Sequence, residues 1–234
     1  NPFGIIFNPV SIAKLIERAV VQRYFTKDDI FFFNERWHCY EVHSDCSTTT
    51  SKALLDNLNQ LLLDTQKQLQ QATHIIITYG TSWVYRHIET NAIVANCHKV
   101  PQKQFSKELL SIDSIQKAIQ NTVSLIATLN PKCNFIFTVS PVRHLKDGFV
   151  ENQVSKAHLI AAIYATTNIK QQTLNYFPSY EIMMDELRDY RFYADDMMHP
   201  SPMAIDYIWE RFAATQIDAS AITTMELVQT IQKG

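Results

Sequence analysis

Two short runs of β-branched and aromatic residues limit what this chain of 234 residues can fold into. They lie at residues 74–79 and 134–139, and neither alternates between apolar and polar side chains. Such runs are typical of strands that are buried on both faces of a parallel sheet. Amphipathic patterns predict helices beside them, at residues 51–71 and 109–129. Alternating strands and helices predict an α/β fold, a three-layer α/β/α sandwich around a parallel sheet.

The remaining segments extend this alternation. Helical spacing of apolar residues predicts helices at residues 12–24 (with Ser11 as the N-cap), 152–174 and 204–212, and a third strand is predicted at residues 179–183. Residues 30–33 suit a strand or an apolar flap, and residues 34–50 are predicted to be a long polar loop. The length suits one domain, so we expect residues 1–234 to form a single domain.

The segment Tyr193-Ala194-Asp195-Asp196-Met197-Met198-His199-Pro200-Ser201-Pro202 is predicted to be an irregular loop because two prolines end it. Asp196 and His199 are three residues apart, so in a tight turn the carboxylate can accept a hydrogen bond from Nδ1 of the imidazole. Nε2 is then left as a base, which is the arrangement of a hydrolase triad. The alternative interpretation is structural, because aspartates often cap helices and histidines often lie in loops.

Site residues are expected where predicted strands end. Ligands of open parallel sheets bind at the carboxyl ends of the strands. Gly80 and Ser140 each follow a predicted strand directly, and the Asp196 loop follows the third one. We therefore expect these three segments to meet at one edge of the sheet.

Composition excludes several classes of protein. A net charge of −2 argues against binding to nucleic acid or to an anionic membrane, and no apolar run is long enough to span a bilayer. Four glycines cannot supply a dinucleotide-binding fingerprint, a P-loop or a GxSxG elbow, so no cofactor is predicted. The oligomeric state is left open.

The four cysteines form no CxxC pair, and we predict that they are free thiols in a reducing compartment, the cytoplasm. A zinc site is the alternative for one cluster, although its spacing does not match a four-ligand knuckle, and we therefore predict no metal. That cluster consists of His38, Cys39, His43 and Cys46.

Six motifs, in order along the chain, together resemble the GSCFA family. They are Asn1-Pro2-Phe3-Gly4-Ile5, Asn8-Pro9-Val10-Ser11-Ile12, Gly80-Thr81-Ser82-Trp83-Val84-Tyr85, Asn96-Cys97-His98-Lys99, Ser140-Pro141-Val142-Arg143-His144 and Tyr180-Glu181-Ile182-Met183-Met184-Asp185-Glu186-Leu187. That family is similar to the SGNH (GDSL-like) hydrolases, which implies a flavodoxin-like sheet and ester or acyl chemistry.

The resemblance also implies roles for individual residues. Asp196 and His199 match the late Asp-x-x-His block that orients and supplies the base. Gly4, Gly80, Thr81 and Ser82 match the oxyanion-hole blocks, and Ser82 stands near the place where the usual pattern has asparagine. The serine nucleophile of the family's Gly-Ser-Cys-Phe-Ala segment is expected upstream of Asn1.

The predicted function is thus a serine esterase or acyltransferase acting on a small acyl ester, for example an O-acyl group on a glycan. Asn96, His98, Arg143 and His144 are candidates for substrate binding, with a structural ion pair as the alternative for Arg143. The alternative function is a non-catalytic carbohydrate-binding or scaffold protein, in which Trp37 and Trp83 stack on sugars.

Overall fold

The computed structural model describes residues 1–166 and 174–233, and the chain divides into two compact units. The first unit comprises Asn1–Ser140 and His144–Tyr176, and the second comprises Pro141–Arg143 and Phe177–Gly234. The expectation of one domain over residues 1–234 stays a prediction.

A three-stranded parallel sheet forms the centre of the first unit. Its strands are β3 (His74–Tyr79), β7 (Asn134–Val139) and β8 (Leu174–Phe177), in the spatial order β3-β7-β8. The pairing of β3 with β7 is parallel and runs from His74 opposite Asn134 to Tyr79 opposite Val139. The two strands predicted from the apolar runs are therefore confirmed. In β7, five successive residues are buried, as expected of a strand covered on both faces.

Four long helices belong to the same unit, and apolar stripes on them are buried. They are α1 (Pro9–Val20), α2 (Ser51–Gln71), α3 (Ile112–Leu129) and α4 (Phe149–Thr166). In α2 the buried stripe is Leu54, Leu58, Leu62 and Leu69, which follows the 3.6-residue period. Helices α1 and α3 pack together, and α3 packs against α4. The predicted α/β fold with a parallel sheet is thus confirmed, and it is compatible with α/β/α layering.

Several helix boundaries differ from the prediction. Helix α1 ends at Val20 and not at residue 24, and α3 begins at Ile112 and not at residue 109. The N-cap of α1 is Asn8, whose side chain accepts from the backbone of Ser11, so the prediction that Ser11 is the cap was wrong. Pro9 has a fixed φ that favours the first helical position, and an Asn-Pro pair is therefore a stronger start signal. The predicted helix over residues 152–174 is confirmed as far as Thr166, and residues 167–173 lie outside the described residues. Its predicted last residue was wrong, because Leu174 begins β8.

The pairing of short strands into two small antiparallel sheets was not predicted, although the strand alternative for residues 30–33 is confirmed at Phe31–Phe33. A hairpin pairs β1 (Phe31–Phe33) with β2 (Arg36–His38), and a three-stranded sheet has the order β5-β4-β6. Its strands are β4 (Trp83–His87), β5 (Ala92–Val94) and β6 (Phe105–Leu109). These strands have only three to five residues, which is too short for a period to be recognised in the sequence. The prediction that residues 34–50 form one continuous loop was therefore wrong, because β2 lies within them.

The second unit is helical in its described part. It contains α5 (Ser179–Glu181), which continues into a π-helical turn (Ile182–Glu186), and then α6 (Pro202–Gln216) and α7 (Ile222–Lys233). The predicted strand at residues 179–183 is therefore wrong. Tyr180, Met183 and Leu187 are buried at spacings of three and four, which favours a helix, and the preceding Pro178 ends the strand β8.

Helices that could cross a bilayer are absent from residues 1–166 and 174–233, because none combines the required length with sufficient apolar character.

Candidate functional site

The loop that carries Asp196 and His199 lies in the second unit and is closed by backbone pairing. The backbone N–H of Ala194 donates to the carbonyl oxygen of His199 at 2.8 Å, and Tyr193 and Pro200 form an isolated β-bridge around it. Met197 has a φ of 58°, a left-handed conformation that turns the chain back on itself. The segment is irregular, as predicted, and α6 begins directly after it, capped by Ser201 and starting at Pro202.

Asp196 makes three hydrogen bonds within the loop, two of them to His199. Oδ2 of the carboxylate lies 2.5 Å from Nδ1 of the imidazole, and Oδ1 accepts from the backbone N–H groups of Met198 and His199, each at 2.9 Å. These bonds, led by the two from the backbone, lower the pKa of Asp196 to about 2, so the carboxyl group is ionised at neutral pH. The ring must therefore present an N–H at Nδ1, so in a neutral imidazole the lone pair is on Nε2.

The side chains of this pair are open to solvent. The side chain of His199 is 57% exposed and that of Asp196 is 41% exposed. A base with this exposure can exchange protons with a substrate or with water, whereas a histidine buried in a core cannot. The predicted hydrogen bond between the two residues is confirmed, and their catalytic role stays a prediction.

Arg143 fixes the same loop from the motif Ser140-Pro141-Val142-Arg143-His144. Its guanidinium lies 3.9 Å from the centre of the Tyr193 ring and donates to the Tyr193 hydroxyl at 2.7 Å. Its backbone N–H donates to the carbonyl oxygen of Met198 at 3.1 Å. Arg143 therefore holds the loop through a cation–π contact and through hydrogen bonds.

In the first unit, Gly80, Thr81 and Ser82 are tied to α4. The Ser82 N–H donates to Oγ of Ser155 at 2.7 Å, and the Ser82 hydroxyl donates to the Ser155 carbonyl oxygen at 2.7 Å. Oγ1 of Thr81 lies 3.0 Å from the same Ser155 hydroxyl. Ser82 is fully buried. The role of Ser82 as an oxyanion donor stays a prediction. In that role Ser82 would have to break these hydrogen bonds.

A buried lysine completes this network, and sequence reasoning missed it. Nζ of Lys156 donates to the carbonyl oxygens of Gly80 and Ser140, both at 2.7 Å, and so joins the residues that follow β3 and β7. The residue is 1% exposed, and burial lowers the pKa of its amine to about 7. One signal was available: Lys156 falls on the same face of its helix as Leu159 and Ile163, three and seven residues further on.

The two glycines predicted for the oxyanion hole make close backbone contacts. Gly80 donates its N–H to the carbonyl oxygen of Phe7 at 2.9 Å, and a Cβ atom at Gly80 would lie 3.2 Å from Phe7 and 3.6 Å from Nε2 of His144. Gly4 has a φ of 79°, and a Cβ atom there would lie 2.3 Å from Cβ of His43. Only glycine fits at Gly4. Its N–H donates to the Asn1 carbonyl oxygen at 3.0 Å.

The candidates for substrate binding do not form one cluster. Asn96 and His98 lie together, with the Asn96 side chain accepting from the His98 N–H at 2.8 Å. His144 lies beside Gly80 and Phe7, and its N–H donates to the Asn152 side chain at 2.9 Å. Arg143 belongs to the Asp196 loop. Convergence of the three strand-end segments on one edge stays a prediction.

The alternative of a metal site finds no support from geometry. Within residues 1–166 and 174–233, no three His, Cys, Asp or Glu side chains are arranged to hold a metal ion. The four cysteines are free, as predicted, and three of them are buried. Burial raises the pKa of Cys39 to about 12 and that of Cys97 to about 11, so these thiols are protonated at neutral pH.

Taken together, the elements define a mixed α/β protein with a parallel sheet and an exposed acid–imidazole pair on a separate loop. Comparison with protein families identifies it further: the GSCFA family matches residues 1–212, and the chain belongs to that family. No curated protein matches the chain.

Proposed function

We propose that this protein is a serine esterase or O-acyltransferase of the SGNH (GDSL-like) type, with a flavodoxin-like arrangement of its parallel sheet, acting on a small acyl ester such as an O-acylated glycan. The observation that carries the proposal is the 2.5 Å contact between Nδ1 of His199 and Oδ2 of Asp196 on an exposed loop. Membership of the GSCFA family supports it, because the motifs of that family resemble those of SGNH hydrolases.

In this proposal His199 is the general base. Nε2 takes the proton of the attacking hydroxyl and later returns it to the leaving oxygen. Asp196 keeps the ring in the required tautomer and offsets the positive charge of the imidazolium. The low pKa of Asp196 suits this role, because the carboxylate stays ionised through the reaction.

The local geometry favours such a task over mere packing. Two backbone N–H groups fix the carboxylate, and Arg143 fixes the backbone at Met198, so the imidazole is oriented before any substrate binds. A preorganised base needs little rearrangement at the moment of proton transfer. Asp196 and His199 are exposed to solvent, and an ion pair in such a position adds little to the free energy of unfolding. A contribution to stability therefore does not explain this arrangement.

The test measures hydrolysis of p-nitrophenyl acetate by a chain that includes the segment before Asn1, in which the resemblance places the serine. We expect His199→Ala to lower kcat by about 10²–10⁴. Asp196→Asn should lower it by at least about tenfold, because the amide can hold the wrong tautomer. The matched control is His74→Ala, which removes another exposed imidazole and should leave the rate unchanged.

Labelling with a fluorophosphonate gives a second measurement that does not depend on the natural substrate. The probe should label one serine in the unmodified protein and fail to label it in His199→Ala. If labelling and turnover are the same in both proteins, His199 is not the base and the proposal is wrong.

The alternative of a non-catalytic carbohydrate-binding protein stays a prediction. Trp37 packs against Phe32 with ring centres 5.5 Å apart, and one face of Trp83 is approached by Nζ of Lys107 at 4.9 Å. Saturable glycan binding by a protein that shows neither turnover nor labelling would favour this alternative.

A further inference from the structure

Residues 80–82, the Gly80 segment, connect β3 to β4 within the first unit and are held at both ends. The N–H of Gly80 donates to the carbonyl oxygen of Phe7 at 2.9 Å, and the carbonyl oxygen of Ser82 accepts from the N–H of Leu110 at 2.9 Å. These two bonds fix where the segment starts and where it ends. The conformation between them depends on contacts with α4.

Two consecutive residues of α4 contact all three residues of the Gly80 segment. The hydroxyl oxygen of Ser155 accepts from the Ser82 N–H at 2.7 Å and lies 3.0 Å from Oγ1 of Thr81. The carbonyl oxygen of Ser155 accepts from the Ser82 hydroxyl at 2.7 Å. The next residue, Lys156, donates to the carbonyl oxygen of Gly80 at 2.7 Å. Ser155 is 1% exposed and Ser82 is 0% exposed, so these bonds are shielded from water.

The side chain of Ser155 differs from other buried hydroxyl groups on the long helices. Thr122 of α3 and Thr166 of α4 are buried to the same degree, and each hydroxyl donates to the carbonyl oxygen four residues earlier in its own helix. That bond is usual for a serine or threonine inside a helix. The hydroxyl oxygen of Ser155 bonds instead to Ser82, which is 73 positions away in the sequence. Ser155 therefore fixes the Gly80 segment in addition to forming part of α4.

The conformation of the Gly80 segment matters for the proposed function, because that function assigns these residues to the oxyanion hole. Donors of an oxyanion hole are effective when they are held in place before the negative charge develops. A displacement of about 1 Å at a reacting centre can lower the rate by about 10². A residue that fixes the segment without contacting the ester can therefore change the rate.

We propose that Ser155 is a positioning residue of the acyl chemistry, which acts by holding Thr81 and Ser82 in the conformation that stabilises the oxyanion. In this role Ser82 is the anchor of the Gly80 segment, because both its N–H and its hydroxyl are bonded to Ser155. Ser155 acts on the ester only through that segment. The inference rests on the proposed function, and the experiments below separate the failure of one from the failure of the other.

The first measurement is hydrolysis of p-nitrophenyl acetate by the chain that includes the segment before Asn1. Ser155→Ala removes the hydroxyl group and keeps the backbone carbonyl group. We expect kcat to fall about tenfold to hundredfold while KM stays within about twofold, because a displaced donor weakens binding of the transition state and not of the ester. Thr166→Val is the matched control, since it removes an equally buried hydroxyl of the same helix, and its kcat should stay within about twofold.

The second measurement is amide hydrogen exchange in the same proteins, which requires no substrate. In Ser155→Ala the amide of Ser82 loses its acceptor and should exchange faster than in the unmodified protein. The increase at Ser82 should be at least about tenfold larger than the increase at Ile77, which lies in the paired part of β3 and reports on the sheet. Equal increases at both amides would show that Ser155 stabilises the fold as a whole, and would contradict the positioning role.

Three results of the activity measurement would overturn the inference. They are a kcat of Ser155→Ala within about twofold of the unmodified value, an equal fall in Thr166→Val, and a loss of activity that lies in KM alone. Failure of the proposed function gives a different result, because the unmodified protein and His199→Ala then behave alike. If those two proteins differ while Ser155→Ala keeps the full kcat, only the positioning role is wrong.

A second variant decides the question if Ser155→Ala does not fold. Thr81→Val removes the hydroxyl that lies against Ser155 and keeps the shape of a side chain that is only partly buried. We expect it to lower kcat by about fivefold or more, with KM again within about twofold, because the Gly80 segment loses one of its contacts with α4. An unchanged kcat in Thr81→Val would show that these contacts do not position the segment for catalysis.

Discussion

The Asp196 loop of the second unit and the Lys156 network of the first unit are both polar, but they are built in opposite ways. Asp196 and His199 are three residues apart and are mostly exposed. Lys156 is 76 residues from Gly80 and 16 from Ser140, and it is 1% exposed. One arrangement comes from a local turn, and the other exists only once the first unit has folded.

This difference predicts where substitutions act. An exposed ion pair contributes little to stability, so changes at Asp196 or His199 should affect chemistry and leave folding intact. A buried donor that satisfies two carbonyl groups contributes through the cost of leaving them unsatisfied, so changes at Lys156 should affect folding. The measurements that follow are ordered from the largest expected effect to the smallest.

Lys156→Met should lower the free energy of unfolding by about 3–5 kcal/mol, because the buried carbonyl oxygen of Gly80 and the partly buried one of Ser140 would lose their donor. Urea denaturation measures this change. Lys117→Met is the matched control, since Lys117 is exposed on α3, and we expect a change within about 0.5 kcal/mol. A loss at Lys156 no larger than in the control would remove the distinction between the two regions.

The free energy of unfolding of the unmodified protein, compared with that of Lys156→Met, should also depend on pH with a defined sign. The pKa of Lys156 is about 7 in the folded chain against an ordinary value of 10.5, so between these values the unfolded chain binds more protons. Stability from this group therefore rises as the pH increases from about 7 toward 10.5, and is lowest below pH 7. Lys156→Met should lack this rise.

Gly4→Ala should lower the free energy of unfolding by about 2–3 kcal/mol, because the alanine would have a left-handed φ and its Cβ would clash with Cβ of His43. Gly80→Ala is the comparison. Its φ is not left-handed and the nearest atoms would be 3.2 Å away, so a smaller loss of about 1 kcal/mol is expected. Thermal denaturation that ranks Gly80→Ala as the more damaging would contradict this interpretation of the two backbone contacts.

Features that depend on neighbouring residues were the ones that the sequence allowed us to predict. The β3 and β7 strands and the α2 helix were found at the expected residues, because the apolar patterns that predict them act over a few positions. The hydrogen bond between Asp196 and His199 belongs to the same class.

The features that were missed depend on residues far apart in the chain. A lysine on an amphipathic helix is ordinarily solvated, and its burial becomes clear only when β3 and β7 supply carbonyl groups to it. The β5-β4-β6 sheet likewise pairs strands whose residues carry no alternation.

The smallest expected effect concerns the pKa of Asp196, and it tests whether the loop is preorganised without its imidazole. The two backbone hydrogen bonds are the leading causes of the low pKa of about 2, and the bond to the His199 ring comes after them. In His199→Ala the carboxyl group should therefore titrate above 2 but still below the ordinary 3.8, which NMR of the Asp196 side-chain carbon can follow. Since the pKa is lowered by folding, the stabilisation from this group is present above pH 3.8 and is lost as the pH falls through about 2. A midpoint at or above 3.8 in the variant would show that the ring, and not the backbone, holds the carboxylate in place.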